Sequence, residues 1–322
     1  FAHIEPARQT QLKAEIVDDA FRRIARAPLP APPPVVPSPE RGYRSRARLH
    51  VHGHRIGFLR ELSHDLCDAA STGQLAPATD AWVRGASRTL QERGLRGLRA
   101  IELAEDVPGT QRVCHLELAA GESARSYQDL GDALTGLTAT VGEPDQTTEV
   151  SQLQGTGQLQ ERLSVEVRGA RTEVHLTRDV RAFFQGNRFL VEALVNEVVS
   201  QVEDGPVLDL YAGVGLFGVS LAAAGWSDVT LVEGDSTSGA DLKANAVPFA
   251  GQVRVERTGL QQQRAGDLVL GGAEGRDKSV CEALGASRLA VGAREGLVPK
   301  LGEGKPAFLW VVNFPLVEFD ER

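Results

Sequence analysis

The residues whose types and spacing point most directly to chemistry are Asp209-Leu210-Tyr211-Ala212-Gly213-Val214-Gly215 and, further on, Glu233. Glycines at 213 and 215 let a backbone turn sharply and approach a ligand closely. Glu233 closes the next apolar run, where a carboxylate can accept both hydroxyls of a ribose. Gly213, Gly215 and Gly218 also satisfy G-x-G-x-x-G, with the acid 15 residues after the last glycine, so a dinucleotide such as NAD is one reading. Asp209, four residues before the first glycine, weighs toward a cationic ligand, since a carboxylate there repels a pyrophosphate. The ammonium of S-adenosylmethionine is such a cation. That cofactor is the expectation, with NAD as the competing reading and a purely structural glycine turn as the third.

The elements that must position these residues follow from the apolar pattern. Val207 to Leu210 is a short buried strand, and Gly213 to Gly218 opens a helix that runs to about Ala224. Val229 to Val232 is a second strand, 236–247 a second helix, and Val253 to Val255 a third strand. This β-α-β-α-β order implies a parallel, doubly wound sheet. A helix over 188–202 precedes it, with Leu190, Leu194 and Val198 on one face. After about residue 260 the rhythm stops, so the domain is expected to be incomplete.

The first 180 residues have a different texture. A helix is expected over 8–26, with Leu12, Ile16, Ala20 and Ile24 as its stripe. A linker with seven prolines in thirteen residues follows from Ala27 to Pro39. Tyr43 to Val51 alternates like a strand, which puts Arg44, Arg46 and Arg48 on one face, and Gly53 marks the hairpin turn. That face is either a solvated one or a phosphate-contacting one. His50, His52 and His54 share the alternation but lack other ligands at metal spacing, so no metal is expected. A helix over 78–93 and strand pairs at 95–105 with 111–119 and at 163–168 with 172–177 complete an α+β domain built from antiparallel hairpins.

Composition sets bounds. Of 322 residues, 42% are hydrophobic and 24% charged, with a net charge of −8, which describes an ordinary globular protein that does not bind polyanions by bulk charge. No run of 18 apolar residues occurs, so no membrane span is expected. Cys67, Cys114 and Cys281 lack cluster or disulfide spacing, which suits a reducing cytoplasm. The chain starts at Phe1 and contains no methionine, and an internal fragment is expected on that ground.

With these residues in place, the chain resembles the RNA 5-methyluridine (uracil-C5) methyltransferases over about residues 1–258. Phe183-Phe184-Gln185-Gly186-Asn187 resembles the family's F-x-Q-x-N segment, which implies that Gln185 touches the cofactor. Pro206 to Phe217 resembles its glycine loop, implying contacts from Tyr211, Gly213 and Gly215, and Val232-Glu233-Gly234 resembles its ribose-binding acid. Lys243-Ala244-Asn245-Ala246 resembles its following helix, and Tyr43 to Leu49 its RNA-contacting Y-R-x-R/K-x-R strand, which makes Arg44, Arg46 and Arg48 the implied RNA contacts. The resemblance implies an α+β RNA-contacting domain (1–185) followed by a truncated, Rossmann-like class I methyltransferase domain (186–262). It further implies methyl transfer from S-adenosylmethionine to C5 of a uridine in tRNA or rRNA, by a cytoplasmic monomer.

Departures qualify this. No iron–sulfur cluster is expected, because the aligned region near Thr72 has no cluster spacing. The family's S-C-N-P nucleophile segment and D-P-P-R/K strand do not occur, so no catalytic residue is assigned; Cys281 reads as a small buried residue. In that chemistry a cysteine thiolate adds to uracil C6 and a carboxylate later removes the C5 proton. Residues 263–322 resemble bacterial aspartyl-tRNA synthetases instead, through Glu282-Ala283-Leu284-Gly285-Ala286-Ser287-Arg288-Leu289 and Phe308 to Leu316, without that enzyme's active-site motifs. A joint near 256–266, by artefact or gene decay, is expected. The alternatives are a non-catalytic RNA- and cofactor-binding remnant, or a synthetase fragment in a chimeric chain.

Overall fold

The protein is described from a computed structural model, which covers residues 4–26, 28–60, 63–142, 149–167 and 169–256. The synthetase-like segment and Cys281 lie outside the described residues. The described residues fall into two units, one of residues 4–11 with 35–256 and one within 12–34. Helix α1 (Pro6–Ala20) continues into a π-helical turn, Phe21–Ala25, close to the expected span. None of the residues of α1 is buried, so the apolar stripe read there is not a core stripe.

In the first unit, β1 (Arg46–His52), β2 (Arg55–Leu59), β3 (Leu66–Asp68), β4 (Leu98–Glu105), β5 (Arg112–Leu118), β6 (Gly136–Val141) and β7 (Ser151–Gly155) form a sheet ordered β3-β2-β1-β4-β5-β6-β7. The β1–β2 turn carries Gly53 at φ +68°, a left-handed conformation open to glycine at little cost. His54 sits in that turn, so the three histidines do not share a strand face. The sheet is mixed: the β1–β2 and β4–β5 pairs are the antiparallel hairpins expected, while β5 and β6 run parallel. Helix α2 (Pro77–Glu92) begins with proline, which supplies a suitable φ where no N–H is needed. It buries Trp82, Val83, Ala86 and Leu90 in a core with Leu49, Leu103 and Leu116, and the Trp82 indole donates to the Leu130 carbonyl at 2.9 Å.

Next come β8 (Gln158–Val167) and β9 (Ala170–Asp179), a hairpin that runs further from its turn than the sequence suggests, then α3 (Val191–Gln201). Strand β10 (Val207–Leu210), helix α4 (Gly218–Ala223), β11 (Val229–Val232), α5 (Ser236–Ala246) and β12 (Val253–Glu256) complete the described chain. The last three strands are parallel in the order β10-β11-β12, the α/β alternation expected. Two expectations need correction. Helix α3 buries Val191, Val195 and Val199, one position away from Leu190, Leu194 and Val198. Both sets are apolar with helical spacing, and packing on β8 selects the branched set. Strand β10 is not buried throughout: Leu208 is 60% exposed, because among the described residues β10 ends the sheet with a partner on one side.

Candidate functional site

The glycine loop connects β10 to α4, and its peptides are held individually. The Glu233 carboxylate, at the end of β11, accepts from the Gly213 N–H at 2.7 Å through Oε2 and from the Asp235 N–H at 2.7 Å through Oε1. The Asp209 carboxylate accepts from the Gly218 N–H at 3.0 Å, and the Gly215 N–H donates to the Ala212 carbonyl at 2.8 Å. Gly213 and Gly215 take φ values of +57° and +96°, which side chains resist. A Cβ at Gly213 would meet nothing within 4 Å, so the backbone there faces open space. A Cβ at Gly218 would lie 2.0 Å from Leu231, so that glycine lets α4 pack on β11. Gly213 thus leaves the backbone open, while Gly215 and Gly218 allow close packing against Val219, Leu242 and Leu231.

Asp209, Gly213, Gly215 and Glu233 are thus brought together at the carboxyl ends of adjacent parallel strands, where ligands of such sheets bind. Tyr211 follows β10 at φ +58° and is 62% exposed. Gln185 lies between β9 and α3, and its carbonyl accepts from the Ser45 hydroxyl at 3.3 Å. That contact joins two motifs 140 residues apart. The Ser45 N–H donates to the Gly186 carbonyl and the Arg188 N–H to the Tyr43 carbonyl, each at 2.9 Å, so the arginine strand starts alongside the glutamine segment.

Burial pushes the Asp209 carboxyl up to about 6; the Gly218 N–H works against this and the nearby Glu233 charge adds to it. The folded chain therefore binds more protons than the unfolded chain between about pH 4 and 6. Its stability falls as pH rises through that window, and the cost persists above it. Asp209→Asn is expected to stabilise the ligand-free protein at pH 8 by about 2–3 kcal/mol, with the gain vanishing below about pH 4. Thermal melts of both proteins at the two pH values check this; a variant less stable at pH 8 would show that the carboxylate is not strained.

The three arginines are engaged differently. Arg48 donates to Glu117 at 2.8 Å and to Glu102 at 2.8 Å, and these carboxylates hold its guanidinium firmly protonated. Arg46 donates to the Arg181 carbonyl at 3.4 Å and lies 5.9 Å from the Phe183 ring centroid. Arg44 donates to the Gln74 side chain at 2.7 Å and stacks over Tyr43 and Phe58. Arg46 and Arg48 do share a face, but acids from β4 and β5 balance part of its charge.

Sequence reasoning quoted Asn245 only as part of a helix and gave it no role, and it missed Asp241, Arg178 and Glu161. Each is a polar side chain buried by partners tens of residues away. The available signal was Asn245 and Asp241 one turn apart on a helix already assigned near the site.

No protein-family model matches the chain. The 23S rRNA (uracil(1939)-C(5))-methyltransferase of Thiobacillus denitrificans is 25% identical over 264 residues, covering 76% of this chain and 58% of that protein. The solved tRNA (uracil-54, C5)-methyltransferase of Pyrococcus abyssi, in complex with S-adenosyl-L-homocysteine, superposes with a TM-score of 0.60 at 20% identity, over 82% of this chain and 65% of that one. The chain is similar in sequence and in fold to RNA uracil-C5 methyltransferases. It shares their fold, an α+β domain followed by a Rossmann-like α/β domain of the class I methyltransferase type. It spans less than two thirds of the length of the methyltransferase relatives. A second similarity is local: the aspartate–tRNA(Asp/Asn) ligase of Salinibacter ruber is 45% identical over 83 residues, 26% of this chain and 13% of the ligase. Among the described residues, no helix is long and apolar enough to cross a membrane.

Proposed function

We propose that this chain binds S-adenosylmethionine and RNA, as part of an enzyme that methylates C5 of a uridine in tRNA or rRNA. The observation that carries the cofactor is the placement of two carboxylates, Asp209 and Glu233, at the ends of adjacent strands beside an open glycine turn. Such a pair suits a ribose and an ammonium, and it disfavours the pyrophosphate of NAD. Glu233 would hold the ribose hydroxyls and Asp209 the ammonium, with Gln185, Tyr211 and the peptides at Gly213 and Gly215 lining the rest. When bound, the cofactor supplies an electrophilic methyl group. Two N–H donors orient the Glu233 carboxylate in advance, so ligand binding need not order it. A bound ammonium stabilises ionised Asp209, so affinity should rise as pH passes through about 6.

The nucleophile is not assigned to this chain, whose 322 residues contain no S-C-N-P segment. Cys114 lies in the sheet core, with its thiol pushed up by burial, and is unsuited to attack. The domain division proposed is 1–185, 186–262 and 263–322, for a monomer acting in the cytoplasm without an iron–sulfur cluster. The ligase similarity favours a second reading, in which a synthetase-derived segment is joined to a non-catalytic RNA- and cofactor-binding remnant.

Calorimetric titration with S-adenosylmethionine, with NAD as control, tests the site. Saturable binding of the methyl donor alone is expected; binding of NAD alone would reverse the assignment. RNA contact by Arg44, Arg46 and Arg48 predicts that Arg46→Ala weakens binding to a uridine-containing RNA and lowers the salt slope by about one. An unchanged slope would assign that arginine to the fold alone.

A further inference from the structure

Asn245 is 6% exposed and sits inside α5, where asparagine is a poor helix former. Its side-chain amide makes three hydrogen bonds. Oδ1 accepts from the Thr177 N–H at 2.8 Å, and Nδ2 donates to the Thr177 carbonyl at 2.9 Å and to the Val214 carbonyl at 2.8 Å. Toward β9, the amide thus behaves like the peptide of a neighbouring strand, pairing with both main-chain groups of one residue. Toward the glycine loop, it holds the carbonyl of Val214, the residue between Gly213 and Gly215. The loop's other anchors, Glu233, Asp209 and Ala212, all belong to the nucleotide-type domain itself. Among the described residues, Asn245 is the side chain that bonds both the loop and the β8–β9 hairpin.

We propose that Asn245 is a positioning residue for the cofactor loop: it sets the Val214–Gly215 peptide relative to the edge of β9, so the placement of the hairpin tunes cofactor affinity. This inference rests on the cofactor reading above. Asp241, one turn earlier, supplies the comparison. It accepts from the Asp179 N–H at 2.6 Å and from the Gln158 amide at 3.1 Å, tying the same hairpin to the same helix with no bond to the loop. An asparagine that served only to dock the hairpin would behave like Asp241.

The test is hydrogen exchange by mass spectrometry on the ligand-free full chain, followed by titration with S-adenosylmethionine. The variants are Asn245→Asp, which keeps the shape and the acceptor but loses both donations, Asn245→Ala in case the charge prevents folding, and Asp241→Ala. In the Asn245 variants, exchange over residues 212–216 is expected to rise about tenfold and affinity to fall about tenfold, the size of one lost buried hydrogen bond. Asp241→Ala is expected to speed exchange in the hairpin while leaving the loop near wild type. Loop exchange that is unchanged in the Asn245 variants, or raised no more than in Asp241→Ala, would overturn the proposal. Should the wild type not bind S-adenosylmethionine, the cofactor reading fails, and the exchange data still decide whether Asn245 positions the loop.

Discussion

Glu161→Ala is expected to cost about 3–5 kcal/mol of folding stability, a large share of what a domain of this size holds. Glu161 and Arg178 face each other with both side chains fully excluded from solvent, and the Arg178 Nε donates to Glu161 at 2.8 Å. Arg178 also donates to the Glu105 carbonyl at 2.8 Å and lies 4.5 Å from the Phe184 ring centroid, while Glu161 accepts from the Val107 N–H at 2.9 Å. Glu105, itself buried, takes Arg112 at 2.6 Å together with Arg188 and Thr79. Removing one member leaves an opposite charge buried without its partner, which costs far more than the pair gains over an apolar pair. The double variant Glu161→Leu with Arg178→Met is therefore expected to recover much of the loss. Urea unfolding of the three variants measures this, and a single-variant cost below about 1 kcal/mol would mean that water reaches the pair. Because Phe184 precedes Gln185, the single variant should also loosen the glutamine segment.

Glu233→Ala is expected to weaken S-adenosylmethionine binding about 100-fold or more. It would remove the charge-assisted bonds proposed to the ribose, each of about 1.5–3 kcal/mol, and it releases the Gly213 N–H that the carboxylate orients. Glu233→Gln should do nearly as badly: both carboxylate oxygens accept from main-chain N–H groups, and an amide nitrogen would meet one of those donors head-on. Titration of both variants with the cofactor and with adenosine checks the assignment. Wild-type affinity for adenosine in either variant would remove Glu233 from the ribose site. Asp209→Asn makes a useful contrast, since it should stabilise the empty protein while weakening the binding of the charged ligand.

How much was legible depended on the range of the interaction. The loop at Gly213 and Gly215, the turn at Gly53, and the strand–helix alternation after residue 206 were all visible in advance. The α3 stripe was not, because Leu190, Leu194 and Val198 and the set one residue later both have helical spacing. The arginine strand was located correctly from Arg46 onward, with Arg44 lying before it, but its charge balance was hidden, since Glu102 and Glu117 face it only through the register of β1 with β4 and β4 with β5.

By itself, then, the sequence determined the local chemistry: where glycine alone can turn, which periods make strands and helices, and where an acid follows a parallel strand. These are set by residues within a few positions of one another. Tertiary structure alone decided which apolar face was buried, which arginines met acids, and that Asn245 would bond Thr177 and Val214, 68 and 31 residues away. Those outcomes depend on the packing and register of distant segments, which no local pattern encodes.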